Sequence, residues 1–127
     1  MSSLAEISDV LGAAVEETFE KGPEGSTDTW IRVGTAHWRS AAETLRDRLG
    51  FDYFCFLSAI DWMPSPYGKG EEDPTVEKQP IDMTIKQGYA GGATRMQVFA
   101  RLVNHRTHQG ITLKVDVPDD TMSIDSW

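Results

Sequence analysis

Cysteine is almost missing from this 127-residue chain, which carries Cys55 alone. A single thiol excludes an internal disulfide and any iron–sulfur cluster ligated by this chain by itself. Set inside an apolar run, Cys55 reads as a small buried hydrophobe. Positive charge is scarce too: 12 Lys and Arg stand against 20 Asp and Glu, a formal charge of −8. Nucleic-acid binders need a basic face to release phosphate counterions, so that class is excluded. The balance suits a protein that meets neutral or basic protein surfaces. No apolar run approaches the roughly 18 residues of a membrane span, which argues against direct insertion. Residues 1–20 carry Glu6, Asp9, Glu16 and Glu17 without a basic start, so no signal peptide is read and a cytoplasmic location is expected.

What is present is enough for one domain with a real core. Leu4, Ile7, Leu11, Ala14, Val15 and Phe19 recur at helical spacing, which predicts an amphipathic helix over 3–21. Ser3 caps it, Glu6 completes a capping box, and Gly22-Pro23 stops it. A short strand over 29–33 alternates Ile31 and Val33 with Trp30 and Arg32. A second helix over 35–49 carries the stripe Trp38, Ala41, Ala42, Leu45 and Leu49, with Gly50 placed for a left-handed C-cap. Residues 51–60 are apolar on both alternating faces, which predicts a central strand covered on both sides. A long polar loop, 64–80, follows. Ile81, Met83 and Ile85 then mark a strand, 96–103 another, and Ile111, Leu113, Val115 and Val117 the clearest alternation of all. HRTHQG and GYAGGA join them as turns. The expected fold is a two-layer α+β sandwich: helix, strand, helix, strand, then a three-stranded meander, with the helices on one face of a mixed sheet. Residues 1–118 form the single domain and 119–127 a tail.

The chemistry-bearing motifs are weak. His105 and His108 lie three apart, with His37 elsewhere, but the pair sits in a hairpin loop without an adjacent Cys or carboxylate. A metal site needs three or four convergent ligands, so a polar turn is the better reading. GYAGGAT and GKG are not phosphate loops, because a strand and not a helix follows the first and the P-loop spacing is absent. Asp61 with Asp52 or Asp82 would be a carboxylate pair lacking a nucleophile and an orienting partner. Asp at a strand end more often bonds local amides. Trp62 and Trp127 fall at element ends, where an aromatic can anchor a partner, although half-buried core packing is the better reading for either one.

Two stretches together are specific. FDYFCFLSAIDW, residues 51–62, resembles the strand-and-exit signature of the C-subunit family of NADH-quinone oxidoreductase, respiratory complex I. In that family an apolar strand beginning Phe-Asp ends in a Thr/Ser-Ala-Val/Ile-Asp run. VFARLVNHRTHQGITLKVDVPDD, residues 98–120, followed by TMSIDSW, is similar to the family's hairpin, its Pro-Asp exit, and the Ser (here Ser123) that opens the next helix. The resemblance covers residues 30–127. Family members continue into a segment with a Trp, a Glu-Arg-Glu run, an Asp-Met-Phe-Gly turn and a His-Pro tail, which packs on the quinone-site subunit. This chain stops before it, and its 64–80 loop is longer than usual. A member lacking the C-terminal segment is therefore expected.

The resemblance implies a non-catalytic accessory subunit of the peripheral arm, supporting electron transfer from NADH to quinone by protein–protein docking. It implies no catalytic, cofactor-binding or metal residues in this chain, with FMN and iron–sulfur clusters held by partner subunits. The partners it implies are the quinone-site and iron–sulfur subunits, and the location the inner face of the cell membrane, reached peripherally through the complex. Trp62, Ser123 and Trp127 are the candidate partner contacts. The alternatives are a small metal- or acid/base-dependent enzyme using Asp61, His105 and His108, or a protein-binding module that captures a peptide with its 64–80 loop.

Overall fold

The computed structural model describes residues 2–22, 29–63, 75, 77 and 91–127. Among them, two helices and a five-stranded mixed sheet make an α+β fold. Helix α1 (Leu4–Leu11) opens on the capping box: Ser3 Oγ accepts from the Glu6 amide, and the Glu6 carboxylate accepts from the Ser3 amide. Two of the orphan donors at the helix start are thereby satisfied. The helix ends well short of residue 21. Gly12 adopts φ 58°, a region that side chains with a Cβ avoid, and the chain turns there. After a 3-10 turn (Gly12–Ala14), Val15–Phe19 becomes strand β1. It pairs antiparallel with β2 (Trp30–Val33), with a register shift between Val15 and Glu17. The helical stripe is therefore real through Ala14, while Val15 and Phe19 belong to a strand.

Helix α2 (Trp38–Leu49) follows a 3-10 turn (Thr35–His37). It closes as its sequence predicts, with Gly50 left-handed at φ 77°. Asn104 supports that end from across the fold: its Nδ2 donates to the Leu49 carbonyl, while its Oδ1 accepts from the Arg106 and Thr107 amides. One side chain thus ties the helix C-terminus to the hairpin turn.

Strands β3 (Tyr53–Asp61), β4 (Met96–Asn104) and β5 (Gln109–Asp116) complete the sheet in the order β1-β2-β5-β4-β3. Of these neighbours only β2 and β5 run parallel; the others are antiparallel. The predicted strand at 81–86, the GYAGGA turn up to residue 90, and the 64–80 loop (residues 75 and 77 apart) lie outside the described residues. Alternation decides which face is buried. Ile31, Val33, Ala100, Leu102, Ile111, Leu113 and Val115 meet Ile7 and Leu11 of α1 and Trp38, Ala41 and Leu45 of α2. Both helices therefore cover the same face. Each fully buried side chain of this size contributes about 1.5–3 kcal/mol to stability, so this single interface is the main source of the fold's stability.

The residues after β5 return over the helical layer. The Met122 amide donates to the Pro118 carbonyl, Ile124 packs against the core, and Trp127 lies on Trp38 with ring centroids 4.5 Å apart. Among the described residues, no helix is long and apolar enough to cross a membrane.

Candidate functional site

Strand β3 is the place where sequence and structure disagree most. The run YFCFLSAI carries no charge and is apolar on both faces, which predicts a central strand. Among the described residues it is instead an edge strand, hydrogen-bonded to β4 on one side. Tyr53, Phe54, Phe56 and Leu57 are 60%, 53%, 47% and 55% exposed. The centre belongs to β5, whose two neighbours are β2 and β4. The helices reach only as far as the β4 residues Ala100 and Leu102, leaving β3 outside the covered area.

A bulge sets which side chain faces which way. Phe54 is paired with Leu102, yet Phe56 is paired with Arg101, so Cys55 is the extra residue. In an unbroken strand Phe54 and Phe56 would share a face. Here Phe54 and Leu57 take the helical side, and Phe56 and Ile60 the opposite one. Phe54 meets the edge of Trp127 at 6.1 Å, and Phe56 meets Phe99 edge-on at 6.1 Å. The thiol of Cys55 is exposed, not buried as its apolar surroundings suggest. Natural edge strands are protected by charge, Pro, brevity or a bulge; β3 carries its one charge, Asp61, at its last residue and has a bulge at Cys55.

The face opposite the helices has its own order, readable from the pairing. Side by side run Phe19, Trp30, Thr112, Arg101 and Phe56; the next row is Glu17, Arg32, Lys114, Phe99 and Ser58. Phe19 stacks on Trp30 at 5.5 Å, and the Lys114 ammonium lies 4.2 Å from the centre of the Trp30 ring. At the far side Arg32 gathers three carboxylates: Glu16 and Asp116 at 2.7 Å and Glu17 at 3.1 Å. Gln97 donates to the other oxygen of Asp116 at 2.9 Å. Burial works against the Arg32 charge, but Asp116, Glu17 and Glu16 more than offset it, and its pKa is raised. Burial pushes the Lys114 ammonium below the usual lysine value, with Glu17 and Asp116 opposing.

The residues singled out from sequence do not converge. Asp61 receives a two-pronged grip from Arg95, whose Nη2 donates to Oδ2 at 2.8 Å and Nε to Oδ1 at 3.1 Å. The Met63 amide donates to Oδ1 at 3.0 Å, the local turn expected of Asp at a strand end. Arg95 also binds Asp119 through its amide and accepts from the Trp62 amide through its carbonyl. It joins the exit of β3, the entry of β4 and the exit of β5, a role no local motif announces. Trp62 is half-buried and lies on Gly92, where a Cβ would overlap Cδ1 of the indole. Its Nε1–H, buried, meets no acceptor among the described residues. His105 Nδ1 lies 2.6 Å from Asp52 Oδ1, while His108 takes the left-handed turn position at φ 60°. Asp52 precedes β3 and Asp61 ends it, nine residues on and roughly 30 Å away at the rise of an extended strand. Asp61 and the histidine pair therefore do not form one site. Among the described residues, no three His, Cys, Asp or Glu side chains gather as metal ligands. Asp82 lies outside the described residues, Ser123 is exposed, and His37 precedes α2 on the surface. Trp127 spends its ring on Trp38 and Phe54, inside this chain.

The grip on Asp61 sets a pH dependence. Hydrogen bonds from Arg95, then from the Met63 amide, hold its carboxyl below the ordinary Asp value. A depressed folded-state pKa contributes stability above the unfolded value of roughly 3.9 that is lost as pH falls through the folded one. His105 acts on Asp52 in the same direction. Urea midpoints measured at pH 6, 4 and 3 are expected to fall on acidification, and less steeply in Asp61→Asn. An unchanged slope in that variant would show that the Arg95 grip does not contribute.

No protein-family model matches the chain, and no curated protein matches its sequence.

Proposed function

We propose that this chain is a non-catalytic docking subunit of the C-subunit type, seated in the peripheral arm of a membrane-associated NADH-quinone oxidoreductase. The observation that carries the reading is β3, which among the described residues is an edge strand, uncharged from Tyr53 to Ile60, with four large apolar side chains exposed across both faces. Water-exposed apolar area of this extent favours a partner surface. The FDYFCFLSAIDW and VFARLVNHRTHQGITLKVDVPDD stretches supply the family, and the first of them is this strand. In this role the chain supports electron transfer from NADH to quinone by holding neighbours together. FMN and iron–sulfur clusters belong to those neighbours, and membrane association is peripheral, through the assembly. The quinone-site subunit and the iron–sulfur subunits of the arm are the partners proposed.

The rival enzyme draws no support from the geometry, since Asp61 is gripped by Arg95 and stands a strand's length from His105. A tagged chain expressed in its native host is expected to co-purify with the quinone-site and iron–sulfur subunits. Recovery of the tagged chain with none of them overturns the reading.

A further inference from the structure

Among the described residues, the helices leave one face of the sheet open, and its chemistry is unusual for a chain of charge −8. Between β1 and β3 lies a cleft of about 430 Å³, walled by Phe19, Trp30, Phe56 and Phe99, with Lys21 and Lys114 on it. None of its described lining residues is acidic. The acids of this face are gathered to one side, where Glu16, Glu17 and Asp116 are bound to Arg32. Lys114 makes no ion pair or hydrogen bond among the described residues. Its company is the Trp30 ring, and Glu17 and Asp116, which act on it electrostatically, are turned to Arg32. A half-buried ammonium held over an aromatic face, with no acceptor among the described residues, has hydrogen-bonding capacity that a ligand carboxylate can fill. The rings beside it offer apolar area that an uncharged anion-binding pocket on a polar surface would not.

We infer that this cleft receives an extended segment of a partner protein in which a Glu or Asp stands two residues from a large apolar side chain, the carboxylate meeting Lys114 and the apolar group the Trp30–Phe99 floor. The spacing follows from the period of an extended chain, in which residues i and i+2 share a face. The inference rests on the reading of the chain as a docking subunit and names the chemistry of what docks. A protein segment is favoured over a small anion because the cleft is broad and open, and because it is continuous through Phe56 with the exposed strand β3.

The probe is a capped nonapeptide, acetyl-Ser-Gly-Leu-Ser-Glu-Ser-Leu-Gly-Ser-amide, titrated into the ¹⁵N-labelled protein. Indole resonances are assigned by single Trp-to-Phe variants. The Trp30 indole signal is expected to shift saturably, with the Trp38 signal unmoved as an internal control for a buried site. Replacing the peptide Glu by Gln, or Lys114 by Met, is expected to weaken binding at least ~5-fold, the size of one charge-assisted hydrogen bond. The Lys114→Met side chain still covers Trp30, and an unchanged urea midpoint verifies that this variant folds. Equal binding of the Glu and Gln peptides, indifference to Lys114→Met, or no shift at Trp30 overturns the inference. Octanoate saturating the same shifts as tightly as the peptide also overturns it, since the cleft would then be a small-amphiphile site. None of these outcomes involves the respiratory assembly. Failure here therefore leaves the co-purification result standing, and the reverse holds equally.

Discussion

Trp38→Ala is expected to remove about 3–5 kcal/mol of folding stability, the range for deleting a fully buried aromatic. Trp38 opens α2, is 1% exposed, and stands with Ala41 and Leu45 on the buried stripe of that helix. The loss has two parts. The indole leaves a cavity against the sheet, and Trp127 loses the ring it lies on. A domain of this size is stabilised by only about 5–15 kcal/mol in total, so the variant sits near its unfolding threshold. Urea unfolding followed by circular dichroism should place its midpoint lower by about 2 M, given slopes of about 1–3 kcal/mol per molar. Trp127→Ala provides the comparison. It removes the stack and leaves Trp38 in place, so a loss near 1 kcal/mol is expected, the size of an aromatic pair. A loss below about 1 kcal/mol for Trp38→Ala would mean that the helical layer does not depend on this residue.

The pair of variants also bears on the role of Trp127. From sequence it is an aromatic at an element end, suited to a partner, with half-buried core packing the better reading. The structure gives it an intramolecular task, covering Trp38 beside Phe54. Position in the sequence does not decide between these readings, because it does not say whether the tail returns over α2.

Legibility follows the same divide throughout. Features set by a few neighbouring residues are readable: the Ser3–Glu6 capping box, the left-handed Gly50, the alternation along β5, and the turn made by Asp61. Each depends on local geometry that the residue types enforce. Features set by distant pairing are not. The stripe through Val15 and Phe19 fits a helix, and only pairing with β2 makes it a strand. Gly12 is the available signal, a residue poorly suited to a helix interior. The exposed face is half legible: alternation places Trp30, Arg32, Thr112 and Lys114 away from the core. That Phe19, Phe56 and Phe99 join them depends on strand order. The grip of Arg95 on Asp61 and the bond from Asn104 to Leu49 carry no local signal, because these partners lie far away in sequence.

The run from Tyr53 to Ile60 shows why pattern alone misplaces its strand. A sequence apolar on both faces says that both faces prefer to be covered, and it is silent on which molecule does the covering. This makes a charge placed on β3 a sharp test. Leu57→Lys and Phe56→Lys are expected to fold nearly as well as the parent chain. Leu57 is more than half exposed, so its change should fall within about 0.5 kcal/mol. Phe56→Lys forfeits the Phe99 contact and should lose about 1 kcal/mol. On the proposed docking role, recovery of partner subunits with the tagged chain should fall at least ~10-fold for either, because each change removes apolar contact area and a charged edge opposes strand addition. The two variants also separate the faces. Leu57 points to the helical side and Phe56 to the Lys114 cleft, so loss with only one identifies the face the partner covers. Unchanged recovery with both, at parental stability, would mean that β3 is not the docking strand and that its exposed apolar surface has another cause.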